Sequence, residues 1–267
     1  MTHASLGRVL IIAGSDSGGG AGIQADIKAV TMLGGYAATA ITAITAQNSL
    51  GVSAIAPISP AMVLAQARAV LSDIGADVIK TGMVGDQTMV ETVAALLDEA
   101  GLPSVIDPVM LAKGGAALLE PGAIGAVRAL LIPRAGLLTP NAPEAEALTG
   151  LTVTDLDGMR RAGEALLAAG AQAVLMKGGH VSGETVTDIL MTPQGETTFS
   201  GPRLITRHTH GTGCTLASAC AAGLAQGLTL EAAVAQAWAY VAEAIRQAPG
   251  FGAGAGPLGH GWVLRET

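Results

Sequence analysis

Aromatic side chains are almost absent: two Phe, two Tyr and two Trp in 267 residues. A nucleic-acid surface built on stacked bases is thereby excluded. Basic residues are few as well. Fourteen Lys and Arg stand against twenty-one Asp and Glu, a formal charge of −7, and no basic block occurs. A phosphate-backbone partner needs the opposite balance. Two cysteines are too few for a disulfide framework. If Cys214 and Cys220 share a helix, they lie about 120° apart around it and cannot bridge. A reducing cytoplasm is the expected compartment. Long apolar runs are also missing. The stretch 36–46 comes nearest, but it is too short to span a bilayer and holds three threonines. No basic region followed by a long apolar one marks a secretory signal. The expected partners are small molecules, with neither nucleic acid nor membrane.

What is present is small and aliphatic. Half of the residues are hydrophobic and 37 are Gly. A sizeable core of Ala, Leu, Val and Ile is possible, and the length suits one large α/β domain covering 1–267. Residues 8–13 read as a buried strand, followed by a polar, glycine-rich turn at 14–22 and a helix over 23–33. Further strands are expected at 36–42, 52–58, 77–81, 104–106, 137–139 and 173–176. An antiparallel pair is expected at 186–191 and 197–205. Helices are expected at 60–74, up to 100 after an Asp86 cap, over 159–169, and at 215–226 and 230–247. The tail from about 249 is Gly-rich and is expected to be ordered only in part. Strands alternating with helices argue for a mostly parallel sheet covered on both faces. Polar residues cluster just after those strands, at the carboxyl edge where open parallel sheets bind ligands.

The stretch Thr209-His210-Gly211-Thr212-Gly213-Cys214 organises the rest. Its glycines permit a sharp turn into an Ala-rich helix whose first N–H groups and positive dipole end attract anions, phosphate above all. A thiolate at Cys214 is favoured in that first turn. The plain alternative, a glycine-containing helix start with a small cysteine, stands level with this reading on these residues alone.

Gly20-Ala21-Gly22-Ile23-Gln24-Ala25 fits G-x-G-x-x-A, but residues 37–50 contain no Asp or Glu to complete a dinucleotide fingerprint. That disfavours a nicotinamide-dependent oxidoreductase. The glycines at 18–22 are expected instead to let backbone approach a small ligand. Lys80-Thr81 lacks the two glycines of a P-loop in register, and that reading is rejected. Asn141 with Glu144 three residues on reads first as a capping box and second as a pair facing a metal or its waters near a triphosphate. Lys177 is either an ordinary turn lysine or a point charge on a transferring phosphate. Asp107, before Pro108, either accepts local N–H bonds or holds Mg²⁺. His208 and His210 are not a metal site by themselves. Gln47 offers one donor and one acceptor, which matches an aminopyrimidine edge, or else satisfies a turn.

Seven blocks in order bring these residues together: AGSDSGGGAGIQADIK (13–28), ITAITAQNSLGV (41–52), KTGM (80–83), IDPVM (106–110), TPNAPEAEAL (139–148), LMKGGH (175–180) and THGTGCTLASA (209–219). They span nearly the whole chain, which resembles the ribokinase-like kinases and, within them, the hydroxymethylpyrimidine/phosphomethylpyrimidine kinases of thiamine biosynthesis. The resemblance implies a three-layer ribokinase-like fold and a pyrimidine pocket of Gly14, Gln47, Met83, Val109 and Cys214, with Asp26 near it among the substrate-binding candidates. It implies ATP held with Mg²⁺ around Asn141, Glu144, Lys177, Thr209 and the Gly211–Gly213 turn, Asp107 and Glu144 being the metal candidates. Cys214, Gly211, Gly213 and Lys177 are the catalytic candidates, with Cys214 where many sugar kinases carry an aspartate base. A homodimer is implied too; the run 52–58 and the second extended pair are candidates for lids or its surface. Some pyridoxal kinases share GTGC and are the alternative within the class. A non-catalytic nucleotide- or pyrimidine-binding protein is the alternative outside it, disfavoured by the intact Lys177, Asn141, Glu144 and Cys214.

Overall fold

The computed structural model describes residues 6–112 and 115–265. Nine strands form one sheet in the order β3-β2-β1-β4-β5-β6-β7-β8-β9. They are β1 (Arg8–Asp16), β2 (Tyr36–Asn48), β3 (Gly51–Pro57), β4 (Val78–Thr81), β5 (Ser104–Ile106), β6 (Leu137–Leu138), β7 (Val174–Met176), β8 (Thr185–Thr192) and β9 (Gly195–Pro202). From β2 through β7 the neighbours run parallel; β3 at one edge and β8 and β9 at the other are antiparallel. The expected α/β, three-layer, mostly parallel architecture is the observed one.

Period-two alternation in β1 divides the core. Leu10 and Ile12 face a cluster with α2 (Pro60–Asp73), α3 (Gln87–Ala100), α5 (Ala142–Thr149) and α6 (Leu156–Ala168). Val9, Ile11 and Ala13 face the other cluster, with α1 (Gly22–Met32), α7 (Thr212–Ala225) and α8 (Leu230–Arg246). Each fully buried Leu or Ile contributes about 1.5–3 kcal/mol. Between β5 and β6 an irregular helical run spans Pro121–Ala123, α4 (Ile124–Ala126), Val127–Leu131 and Ile132–Arg134. Helix ends follow local chemistry. Ser59 accepts the Met62 N–H with Pro60 at the first helical position, and Gly101, at φ 60°, ends α3.

Two expectations are corrected. β2 does not stop near residue 42; it runs on to Asn48 because β3 folds back and pairs with it, Ile44 opposite Ala56 and Asn48 opposite Gly51. The Gly-rich tail is docked. Leu258 and His260 are buried, the His210 N–H donates to Gly256, and the Tyr240 hydroxyl donates to the His260 carbonyl at 2.8 Å. A last helical turn, His260–Arg265, follows.

Candidate active site

The carboxyl ends of β1, β2, β4, β5, β6 and β7 open on one cleft of about 870 Å³, closed from the other side by the start of α7. Gly14, Gln47, Met83, Val109 and Cys214 share its wall. So do Asp107, Asn141, Glu144, Lys177, Thr209, Gly211 and Gly213. Residues up to 200 positions apart in sequence are thus gathered at a single sheet edge.

The turn before α7 requires glycine. Gly211 has φ +83°, and a Cβ there would run into the carbonyl of Gly20. Gly20 in turn lies against the ring of His210, and Gly22 against the carbonyl of Gly14. Gly20 therefore lets the glycine-rich loop and the turn before α7 touch, while Gly22 also lines the cleft. With Gly211 as cap, no side chain occupies the N-terminus of α7, and its first N–H groups face the cleft as an anion-binding end.

Charge converges on the same point. Lys177 donates to Asp107 Oδ1 at 2.8 Å and stands 3.7 Å from Glu144 Oε2. Thr139 donates to the same Asp107 oxygen at 3.0 Å. A Cβ on Gly213 would lie 3.2 Å from Lys177 Nζ, so this glycine keeps the ammonium close to the helix start. Burial opposes the charge on Lys177, but Asp107 and Glu144 outweigh it and its pKa is raised. Burial pushes Glu144 up to about 7, against the pull of Lys177. The capping box is fully formed: Asn141 Oδ1 accepts the Glu144 N–H at 2.9 Å, and Glu144 Oε2 accepts the Asn141 N–H at 2.8 Å. The capping-box reading is the observed one, and the cap is what points Glu144 at Lys177.

Two expectations about side chains need correction. Asp26 does not line the cleft. It is fully buried one layer behind it, where both its oxygens meet Lys80 Nζ at 2.9 Å and Oδ1 accepts from Ser218 at 2.7 Å. Lys80 itself belongs to the cleft wall, though its side chain has no exposed surface. Cys214 is not a resting thiolate. Burial pushes its thiol up to about 12, Asp26 and Asp107 add to the rise, and Lys80 and the Gly22 N–H only partly offset them.

Lys80, Asp16 and His210 also line the cleft, and nothing local in the sequence marks them as a group. The signal for Lys80 was an ion inside an apolar strand, which demands a partner. His210 is marked in the sequence only by its place in the glycine turn. Among the described residues no group of three or more His, Cys, Asp and Glu forms a metal cluster. Asp107 and Glu144 nevertheless fit a hard cation shared with phosphates, since Mg²⁺ is usually bound by one or two carboxylates plus substrate oxygens.

A lysine between carboxylates and a bare helix start are what a phosphoryl group in transit requires. On this frame they define the class: a phosphotransferase of the ribokinase-like α/β type. The family model described as phosphomethylpyrimidine kinase matches residues 16–259, and the chain belongs to that family. It is 49% identical over 258 residues to the hydroxymethylpyrimidine/phosphomethylpyrimidine kinase of Streptomyces coelicolor, covering 97% of this chain and 96% of that one. It is 50% identical over 255 residues to the thiamine biosynthesis bifunctional protein ThiED of Geobacter sulfurreducens, covering 95% of this chain. The chain spans about half (52%) of that longer relative. Among solved structures, an ADP complex of Bacillus subtilis pyridoxal kinase superposes with a TM-score of 0.91 at 36% identity, covering 98% of this chain and 100% of that one. No helix among the described residues is long and apolar enough to cross a membrane.

Proposed function

We propose that the protein phosphorylates 4-amino-5-hydroxymethyl-2-methylpyrimidine with ATP and then phosphorylates the monophosphate to the diphosphate, in thiamine biosynthesis. The observation that carries this reading is the meeting of Lys177, Gly213 and Cys214 at the start of α7, in the same cleft that Gln47 and Met83 line. One end of the cleft suits phosphates and the other a small flat ring. Identity near 50% to kinases of that pyrimidine, against 36% to a pyridoxal kinase, favours the pyrimidine. Pyridoxal phosphorylation is the second reading, supported by the closeness of that pyridoxal kinase fold.

Lys177 places its charge on the transferring phosphoryl, and the N–H groups of Gly213 and Cys214 receive its oxygens. Donors of this kind are each worth about 10²–10³ in rate. Asn141, Glu144 and Thr209 hold the nucleotide side; Asp107 and Glu144 would hold Mg²⁺, which would supply positive charge against the phosphate oxygens. Gly14, Gln47, Met83 and Val109 hold the ring. Cys214 serves the first step, in which an alcohol must lose its proton; the second step attacks with a phosphate oxygen that is already ionised.

The cytoplasm is the compartment that suits two unbridged cysteines. A homodimer is proposed through the β3 edge of the sheet, where Ile55 is exposed. Counting ADP released per pyrimidine consumed tests the two-step reading: two equivalents are expected, and one equivalent would remove the second step.

A further inference from the structure

The glycine-rich loop, the end of β2 and the turn before α7 meet at His210, whose ring is nearly buried in the cleft wall. Its Nε2 lies 2.9 Å from Asp16 Oδ2 and 3.0 Å from the amide end of Gln47. Asp16 is committed as an acceptor. Its Oδ2 takes the N–H groups of Gly20 at 3.0 Å and Ala21 at 2.8 Å, and its Oδ1 takes that of Gly18 at 2.8 Å. Burial pushes this carboxyl up, yet the His210 contact and these N–H groups together hold it below the ordinary carboxylate range.

A carboxylate offers no proton, so Nε2 of His210 carries the hydrogen in its contact with Asp16. A ring nitrogen that donates cannot also accept from an amide NH₂. The atom of Gln47 that faces His210 is therefore the carbonyl oxygen, which shares the single Nε2–H with Asp16 Oδ2 in a three-centre bond, since the two ends of an amide are told apart by their partners. The other end agrees. Thr45 Oγ1 donates its one hydrogen to the Ser15 carbonyl at 2.9 Å, so toward Gln47, 3.4 Å away, it only accepts. An NH₂ belongs there, and one of its two N–H bonds is left for the cleft.

We propose that His210, held by Asp16, is a positioning residue that locks the Gln47 amide with its oxygen on the imidazole and its NH₂ toward Thr45 and the cleft. Gln47 thereby selects a substrate ring that presents an unprotonated nitrogen to it, not an N–H. The selectivity rests on the proposed reading that a flat nitrogen heterocycle binds beside Gln47; the amide orientation does not.

The test uses the full chain in two arms. Long-range ¹H–¹⁵N correlation spectra of the histidine rings, with His210 assigned by its loss in His210→Gln, read the proton directly. A protonated Nε2 is expected, and a bare Nε2 would overturn the proposal. Calorimetric titration with hydroxymethylpyrimidine is the second arm. His210→Phe is expected to weaken binding roughly three- to tenfold, the size of one hydrogen bond. The double variant His210→Phe/Gln47→Ala is expected to bind within about twofold of Gln47→Ala alone. His210→Gln, whose amide N–H reaches the same place, is expected to recover most of the loss, and KM for Mg-ATP is expected to stay close to that of the unsubstituted enzyme. Additive losses, or a loss falling equally on ATP, would reduce His210 to a structural role. If the unsubstituted protein binds no pyrimidine while Nε2 is protonated, the substrate reading fails and the amide orientation stands.

Discussion

The ammonium of Lys80 touches both oxygens of Asp26 at 2.9 Å, and neither side chain has any exposed surface. Burial opposes charge on both partners, and the pair persists because each neutralises the other. Removing one partner strands the other. Lys80→Met is expected to cost about 3–5 kcal/mol. Adding Asp26→Asn to it is expected to restore part of that stability, because the buried carboxylate is gone. Urea unfolding of the two variants checks this; equal stability of Lys80→Met and the parent would contradict it.

Glu144 gives the protein a pH signature. Its folded-state pKa is raised to about 7, so the folded chain binds this proton more tightly than the unfolded chain does. The stabilisation is complete below the ordinary glutamate pKa and is lost as pH rises through about 7. Its size is up to about 3 kcal/mol. Asp188, pushed up to about 6 by burial, acts in the same direction. His260, held down to about 4 by burial, acts in the opposite direction over this interval, so the Glu144 contribution is read against Glu144→Gln: relative to that variant, the ligand-free parent is expected to lose melting temperature between pH 5 and pH 8. Binding of Mg-ATP, which needs the ionised carboxylate, is expected to strengthen over the same interval. Glu144→Gln keeps the cap and removes the charge, so both pH trends are expected to shrink. Melting curves unchanged by this substitution would refute the assignment.

At Gly211 the conformation itself is the constraint. Gly211→Ala places a side chain at φ +83° and against the Gly20 carbonyl. A cost of about 1–3 kcal/mol is expected for the backbone strain. The turn that delivers the α7 N–H groups is expected to open, so kcat should fall for both phosphorylation steps. Steady-state kinetics on the alcohol and on the monophosphate read this; loss in only one step would separate the turn from phosphoryl transfer.

How much of this was legible in the sequence depended on range. The β1, β4, β5 and β7 strand ends, and the residues that follow them, could be read because each is a local pattern of buried run and polar turn. The capping box at Asn141 and Glu144 is local as well. Asp16 and His210 are 194 positions apart, and nothing near either one announces the other. The tail looked loose because its glycines are locally flexible, whereas the bonds that fix it, from His210 and Tyr240, come from elsewhere in the chain. Gly211 and Gly213 were recognisable as a helix start. That Gly20 exists to receive Gly211 followed only from the packing.

Cys214 separates the two chemical steps. With its thiol pushed up to about 12, the thiolate is a minor form at neutral pH. Phosphorylation of the alcohol is expected to accelerate as pH rises from 7 to about 9, roughly in proportion to the thiolate fraction. Phosphorylation of the monophosphate is expected to stay flatter. Cys214→Ala is expected to lower the first step far more than the second. Equal losses in both steps would remove the base role and leave Cys214 as a wall of the cleft.

The most direct test of the account is incubation of the purified protein with Mg-ATP and hydroxymethylpyrimidine, and in parallel with pyridoxal, with products followed by mass. The account predicts successive mono- and diphosphate of the pyrimidine. Phosphate appearing on pyridoxal alone, or no phosphorylated product from either, would contradict it.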